Sequence, residues 1–298
     1  MDLKVYLAQQ QERIEETLDE ILPQSDGQSD GYTASLLEAM RYSLFAGGKR
    51  LRPILVLAAC EAVGGNTESA LRPACALEMI HTYSLIHDDL PAMDDDNFRR
   101  GIPTNHKVFG EASAILAGDA LLTEAFVLLS RPCPELSPAT QIQLVNIAAC
   151  ASGRGGMVGG QMVDMAAEGQ ESTIDTVNFI HKHKTGALIC AALQMGAIIA
   201  GADKNQLRQI ATFGNHAGMA FQIADDLLDI EATQEQLGKD VGSDQQRGKA
   251  TYPAVVGVEE ARRQATELHR DALEALASFS SAAEPLRRIS AYIINRKQ

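Results

Sequence analysis

Apolar residues along this chain recur three and four positions apart, and no long stretch alternates them with period two. Ala, Leu, Ile, Met and Glu carry the pattern; Trp is absent and aromatic residues amount to 5%. Strands are therefore not suggested, and helices are. Breakers gather at Pro23 to Gly31, Gly47 to Pro53, Asn97 to Pro103, Arg131 to Pro138, Gly153 to Gly160 and Gly238 to Gly248. The segments between them are long enough for roughly three to six helical turns each. No linker, solenoid repeat or low-complexity tract divides the 298 residues. The expected architecture is all-α, a single domain over residues 1–298 built as a bundle of about ten or more helices. Gly153 to Gly160 holds five glycines in eight positions. Two readings stand there: small residues for close helix packing, which is the plainer one, or a loop approaching a ligand.

Charge and cysteine usage narrow the function. Asp plus Glu exceeds Lys plus Arg by 39 to 26, a net charge of −13. Such a surface repels phosphate backbones, so no nucleic-acid partner is expected. An anionic ligand would need a local basic pocket. The five cysteines, Cys60, Cys75, Cys133, Cys150 and Cys190, form no CxxC pair and are odd in number. That points to a reducing compartment rather than a disulfide framework. The N-terminus lacks the apolar core of a signal peptide. The most apolar stretch, Ala187 to Ala202, is shorter than the roughly 18 residues of a membrane span. A cytoplasmic protein with no membrane span is expected.

Chemistry first appears at His87 to Asp96, where five carboxylates fall within the nine positions from Asp88. They follow an apolar helix on which His81, Ser84, Leu85 and Asp88 share one face. Pro91 interrupts that helix and lets Asp94 fold back towards Asp88. Carboxylates at a helix C-terminus are opposed by the macrodipole, so helix stability cannot explain them. A bound hard cation can, and magnesium typically links one or two carboxylates to substrate phosphates. The plain alternative is a solvated acidic loop, and this segment alone does not separate the two. A second cluster does. Gly218, Gln222, Asp225 and Asp229 share one face of a partly buried helix, with the two carboxylates one turn apart. Two such clusters suggest opposite walls of one cavity with metal ions between them.

Cations are supplied locally. Gly47 to Pro53, GGKRLRP, sets Lys49, Arg50 and Arg52 behind two glycines. Arg99 and Arg100 follow the first acidic cluster and suit forked contacts to phosphate oxygens. Lys182, Lys184 and Thr185, then Gly238-Lys-Asp240, then Gly248 to Pro253 complete the set. There is no Walker loop, HExxH or GxGxxG, and spacing supports no Ser-His-Asp arrangement. His81 on an apolar face would ordinarily be a core histidine. Its position two turns before Asp88 makes it a candidate.

Together these motifs resemble the trans-isoprenyl diphosphate synthases over nearly the whole chain, most closely the bacterial members making a fifteen-carbon product. Asp88-Asp-Leu-Pro-Ala-Met-Asp94 is similar to the family's first aspartate-rich motif in its longer form, and Asp225-Asp-Leu-Leu-Asp229 to the second. GGKRLRP, RRG, KTG and GKD occur in the family's order. The resemblance implies the isoprenoid synthase fold, helices around a deep central cavity, and a homodimer. It implies condensation of isopentenyl diphosphate with dimethylallyl and then geranyl diphosphate to give (2E,6E)-farnesyl diphosphate. By the same resemblance, Asp88, Asp94 and Asp225, supported by Asp89 and Asp229, would hold three magnesium ions. Arg99, Lys184, Thr185, Gln222 and Lys239 would serve the allylic diphosphate, with Lys184, Thr185, Gln222 and Lys239 the catalytic set. Gly48, Lys49, Arg52, His81 and Arg100 would hold isopentenyl diphosphate. Tyr83, five residues before Asp88, would close the floor on a growing chain, with small Ser84 beside it. The alternatives are a geranylgeranyl diphosphate synthase, a non-catalytic diphosphate-binding subunit, and a terpene cyclase, which would have no use for a second diphosphate site.

Overall fold

The computed structural model describes residues 1–24, 31–231 and 249–294. Helices follow one another: α1 Leu3–Ile21, α2 Ala34–Leu44, α3 Leu51–Val63, α4 Glu68–Asp88, α5 Asn105–Phe109, α6 Glu111–Ser130 and α7 Pro138–Ser152. Then come α8 Met157–Ala167, α9 Ile174–Ile180, a π-helical turn His181–Gly186, α10 Ala187–Ile199 and α11 Lys204–Glu231. The last are α12 Tyr252–Val256, α13 Val258–Ala275 and α14 Glu284–Ile294. The all-α reading of the periodicity holds.

One departure from it is a two-stranded hairpin, β1 Phe98–Arg99 and β2 Ile102–Pro103, with Phe98 opposite Pro103. Its turn residues Arg100 and Gly101 both have positive φ, 54° and 80°. That is the signature of a turn whose twist matches paired strands. Strands of two residues are too short to leave a period-two pattern, so the segment reads only as a cluster of breakers.

Contacts group the chain into two compact units, Lys4–Leu57 with Glu68–Val145, and Met1–Leu3 with Ala58–Thr67 and Asn146–Gln298. In the first, α1 buries Tyr6, Gln10, Ile14 and Leu18 at steps of four, one stripe of an amphipathic helix. Helix α4 is buried without a break from Pro73 to Ile80. It packs along α6, where a side chain at Gly118 would overlap the His87 ring. The missing Cβ is what lets the two helices approach. Beyond Ile80, the face carrying His81, Ser84, Leu85 and Asp88 is only half-buried, while Thr82, Tyr83 and Ile86 remain in the core.

Helix α6 is long as well as apolar. It is 20 residues long and its mean hydropathy reaches 1.7, enough by length and composition to cross a membrane. Ala187 to Ala202, the most apolar stretch of the sequence, forms the shorter helix α10, Ala187–Ile199. Asp119 and Glu124 interrupt α6 by eye but leave its hydropathy high. The buried residues of α6, among them Ala117, Gly118, Leu121 and Ala125, belong to this unit's core.

In the second unit α11 packs against α10 and α13. Val177, Ile223, Leu227, Tyr252, Ala261 and Ala265 form one buried cluster there. The glycine-rich stretch divides. Residues 153–156 turn, and Gly159 and Gly160 enter α8. A Cβ on Gly160 would collide with the backbone of Lys184. Close packing is therefore what Gly160 serves, whereas Gly153, Gly156 and Gly159 face only nearby backbone of their own turn and Gly155 faces open space.

Candidate active site

Helix α4 stops as its sequence requires. After Asp88 the chain turns through Pro91, and the N–H of Asp94 donates to the carbonyl of Asp88 at 2.8 Å. The expected fold-back is present, and it sets Asp88 and Asp94 side by side in the backbone. Asp89 goes elsewhere. It is 3% exposed and accepts from Arg99 Nε at 2.7 Å. Burial raises the Asp89 pKa, with Arg99 acting against that rise. Desolvation is also the largest single influence on Arg99 and lowers its pKa, but the Asp89 hydrogen bond and the charges of Asp89, Asp96 and Asp88 together outweigh it, so the pKa is raised. Asp89 is thus the anchor of Arg99, and Asp96 adds a second carboxylate at 3.5 Å.

The hairpin places Arg100 on the loop before α3. Its guanidinium donates to the Gly47 carbonyl and lies where a Cβ on Gly48 would be. Gly47 and Gly48 have φ of 88° and 121°, which only glycine adopts without strain. His81 on α4 belongs to this cationic group. Burial lowers its pKa well below the ordinary value, and Arg52, Arg100, Arg99 and Arg50 push the same way. His81 is therefore neutral, with one ring nitrogen to donate and one to accept. Gly48, His81 and Arg100 are brought into one neighbourhood, and Arg52 acts electrostatically on His81.

Lower on α4, Tyr83 is 6% exposed and meets the His87 ring edge-on at 5.7 Å. Burial and the Asp88 carboxylate push its hydroxyl up to about 12. Ser84 donates to the His81 carbonyl at 2.8 Å and is half-buried.

In the second unit, Lys184 and Thr185 lie on the π-helical turn between α9 and α10. Such turns offset the backbone register and concentrate at functional sites. Lys184 Nζ lies 2.5 Å from Asp164 of α8. Thr185 Oγ1 donates to Gln222 Oε1 on α11 at 3.1 Å. Asp225 and Asp229 are half-buried one turn apart on the same helix. Asp226 between them accepts from the Tyr252 N–H at 2.7 Å and lies 3.2 Å from His181 Nε2. Lys239 and the Gly238 to Asp240 motif lie outside the described residues.

Several of these residues escape a reading of motifs. Asp164 sits one turn beyond Gly160, and nothing in its surroundings marks it as the partner of Lys184. Asp226 lies inside the second acidic motif but serves the fold. Glu78 is a lone carboxylate inside an apolar helix, and that isolation is a legible demand for a buried partner.

The donors near Asp88 and Asp225 are carboxylate oxygens, the chemistry magnesium prefers. Among the described residues no three His, Cys, Asp or Glu groups converge on one point.

Known proteins resemble this chain over nearly its whole length. A family model described as polyprenyl synthetase matches residues 33–286. A geranylgeranyl diphosphate synthase of Cyanophora paradoxa is 47% identical over 99% of this chain and 97% of its own. A farnesyl diphosphate synthase of Geobacillus stearothermophilus is 49% identical over 87% of this chain and 86% of its own. Among solved structures, a farnesyl/geranylfarnesyl (FPP/GFPP) synthase from Zymomonas mobilis superposes with a TM-score of 0.87 at 41% identity. It covers 98% of both chains. The chain belongs to the polyprenyl synthetase family. It is a trans-prenyltransferase of the farnesyl or geranylgeranyl diphosphate synthase type, and its family acts on prenyl diphosphates.

Proposed function

We propose that this enzyme condenses isopentenyl diphosphate with dimethylallyl diphosphate and then with geranyl diphosphate, releasing (2E,6E)-farnesyl diphosphate. The observation that carries the reading is the cationic cluster around a neutral His81, next to the turn that pairs Asp88 with Asp94. A diphosphate is the ligand that needs both cations and a magnesium-binding carboxylate pair.

In this reading Gly48, Lys49, Arg52, His81 and Arg100 hold isopentenyl diphosphate. Arg99, Lys184, Thr185, Gln222 and Lys239 serve the allylic diphosphate. Asp88, Asp94, Asp225 and Asp229 hold magnesium, with Asp89 contributing through Arg99. When bound there, magnesium, three ions with substrate, would supply charge neutralisation for the departing diphosphate. The allylic C–O bond breaks with its electron pair leaving on diphosphate. The double bond of isopentenyl diphosphate attacks the allylic carbon, and a proton is lost to the departed diphosphate. Thr185 Oγ1 and Gln222 Oε1 turn oxygen dipoles towards the cation, and the apolar walls exclude water.

Tyr83 limits growth at fifteen carbons. A twenty-carbon product is the second reading, favoured by the geranylgeranyl synthase among the relatives. We further propose one catalytic domain over residues 1–298, a cytoplasmic location and a homodimer. Ile115, Leu116 and Ile142 support the dimer, being large apolar side chains of the first unit that are 44%, 58% and 71% exposed. Chromatography of products from the purified protein with both five-carbon diphosphates tests the reading. A magnesium-dependent fifteen-carbon product is expected. A twenty-carbon product overturns the length assignment, and no product from folded protein overturns the synthase.

A further inference from the structure

The GGKRLRP loop contains three cations, and one of them does not face a ligand. The Arg50 guanidinium is fully buried and makes contacts on three separate elements. Its Nε donates to Glu15 of α1 at 2.7 Å, its Nη1 to Glu78 of α4 at 3.0 Å and its Nη2 to the Leu44 carbonyl ending α2 at 2.6 Å. Arg50 itself has φ of 48°, a left-handed conformation that a side chain of this size adopts only when its surroundings impose it. Two positions earlier, Gln11 of α1 donates to the Gly48 carbonyl at 3.2 Å. The loop that carries Lys49 and leads into Arg52 at the start of α3 is thus held in shape from behind, by α1 and α4.

We propose that Glu15 and Glu78, acting through Arg50, together with Gln11, are positioning residues for the isopentenyl diphosphate site. They fix the left-handed turn from which Lys49 and Arg52 project, and they supply counter-charge to the site's crowded cations. One guanidinium between two carboxylates leaves an excess of negative charge directly behind that crowd. Both carboxylates act on Arg100 across the loop, favouring its charged form against burial. Without them, Arg50, Arg52, Arg99 and Arg100 would repel one another in a site meant to stand ready before its anion arrives. Helix α1, which carries none of the family's motifs, thereby takes part in substrate binding.

This inference rests on the assignment of Lys49 and Arg52 to isopentenyl diphosphate. The test is steady-state kinetics of the full chain with each substrate varied in turn. Glu15→Ala should raise KM for isopentenyl diphosphate about tenfold, with kcat and the allylic KM within about twofold of wild type. Glu15→Gln, whose amide oxygen still accepts from Arg50, should recover most of the loss. Gln11→Ala, which leaves the buried ion pairs intact, should raise the same KM by a smaller factor. A purely structural role would lower the melting temperature and leave that KM unchanged in all three variants, and this result overturns the proposal. Lys49→Ala separates the two claims. If it leaves the isopentenyl KM unchanged, the site assignment fails and the proposal with it. If it raises that KM while Glu15→Ala and Gln11→Ala do not, the positioning role alone fails.

Discussion

The backbone N–H of Asp94 donates to the carbonyl of Asp88 at 2.8 Å, closing a turn that joins the two ends of the first acidic motif. The bond is made by backbone, so it survives loss of either carboxylate. Asp88→Ala should therefore keep its far-UV circular dichroism and melting temperature close to wild type. Turnover should fall by about a thousandfold, the scale of losing charge stabilisation at a leaving group. Asp225→Ala, half-buried on α11, should behave in the same way. Unfolding of both variants would show that these carboxylates serve the fold instead.

His81 makes stability depend on pH in a stated direction. Its folded pKa lies below the ordinary 6.5 because burial and the arginines disfavour its charge. As pH falls below about 6.5, the unfolded chain takes up a proton that the folded chain refuses. The His81 contribution is complete above that value and declines towards the lower folded pKa. His81→Gln should show a shallower loss of urea midpoint between about pH 7 and about pH 5 than wild type. Equal slopes would remove His81 as a buried neutral group.

Tyr83 is packed against His87 and 6% exposed. Tyr83→Ala should shift the main product from fifteen to twenty carbons, read by chromatography of the dephosphorylated alcohols. It should also cost about 3 kcal/mol of stability, as for other large aromatic truncations in a core. A destabilised variant with an unchanged product would leave Tyr83 as a core residue only.

Gly160 lies where α8 meets the backbone of Lys184. Gly160→Ala should push α8 away from the π-helical turn and cost about 2 kcal/mol, a typical overpacking penalty. Because Asp164 on the same helix holds Lys184, the allylic KM should rise as well. A variant as stable and active as wild type would show that α8 gives way freely.

Helix positions were legible where burial of one face imposes a 3.6-residue period, as on α1 and α11. The fold-back of Asp94 was legible for a local reason, since Pro91 forbids the helix to continue. The hydrogen bond of Thr185 to Gln222, 37 residues away, was not legible. The small hairpin at Arg99 was not legible, as strands of two residues carry no pattern. The partners of Arg50, Arg99 and Lys184 were not legible either. Arg50 meets Glu15 and Glu78, 35 and 28 residues away, and Lys184 meets Asp164 at a distance of 20.

Sequence alone determined the helical class, the two acidic motifs and the cationic loops, because periodicity, proline and local charge act over a few residues. Tertiary structure decided which of those charges are paired within the fold. Arg50 and Arg52 are alike in the motif, as are Asp88 and Asp89. Desolvation separates them. A charge buried from water must find a partner wherever the fold brings one. Arg50 took Glu15 and Glu78, and Asp89 took Arg99, while Asp88 lies on the half-buried face of α4.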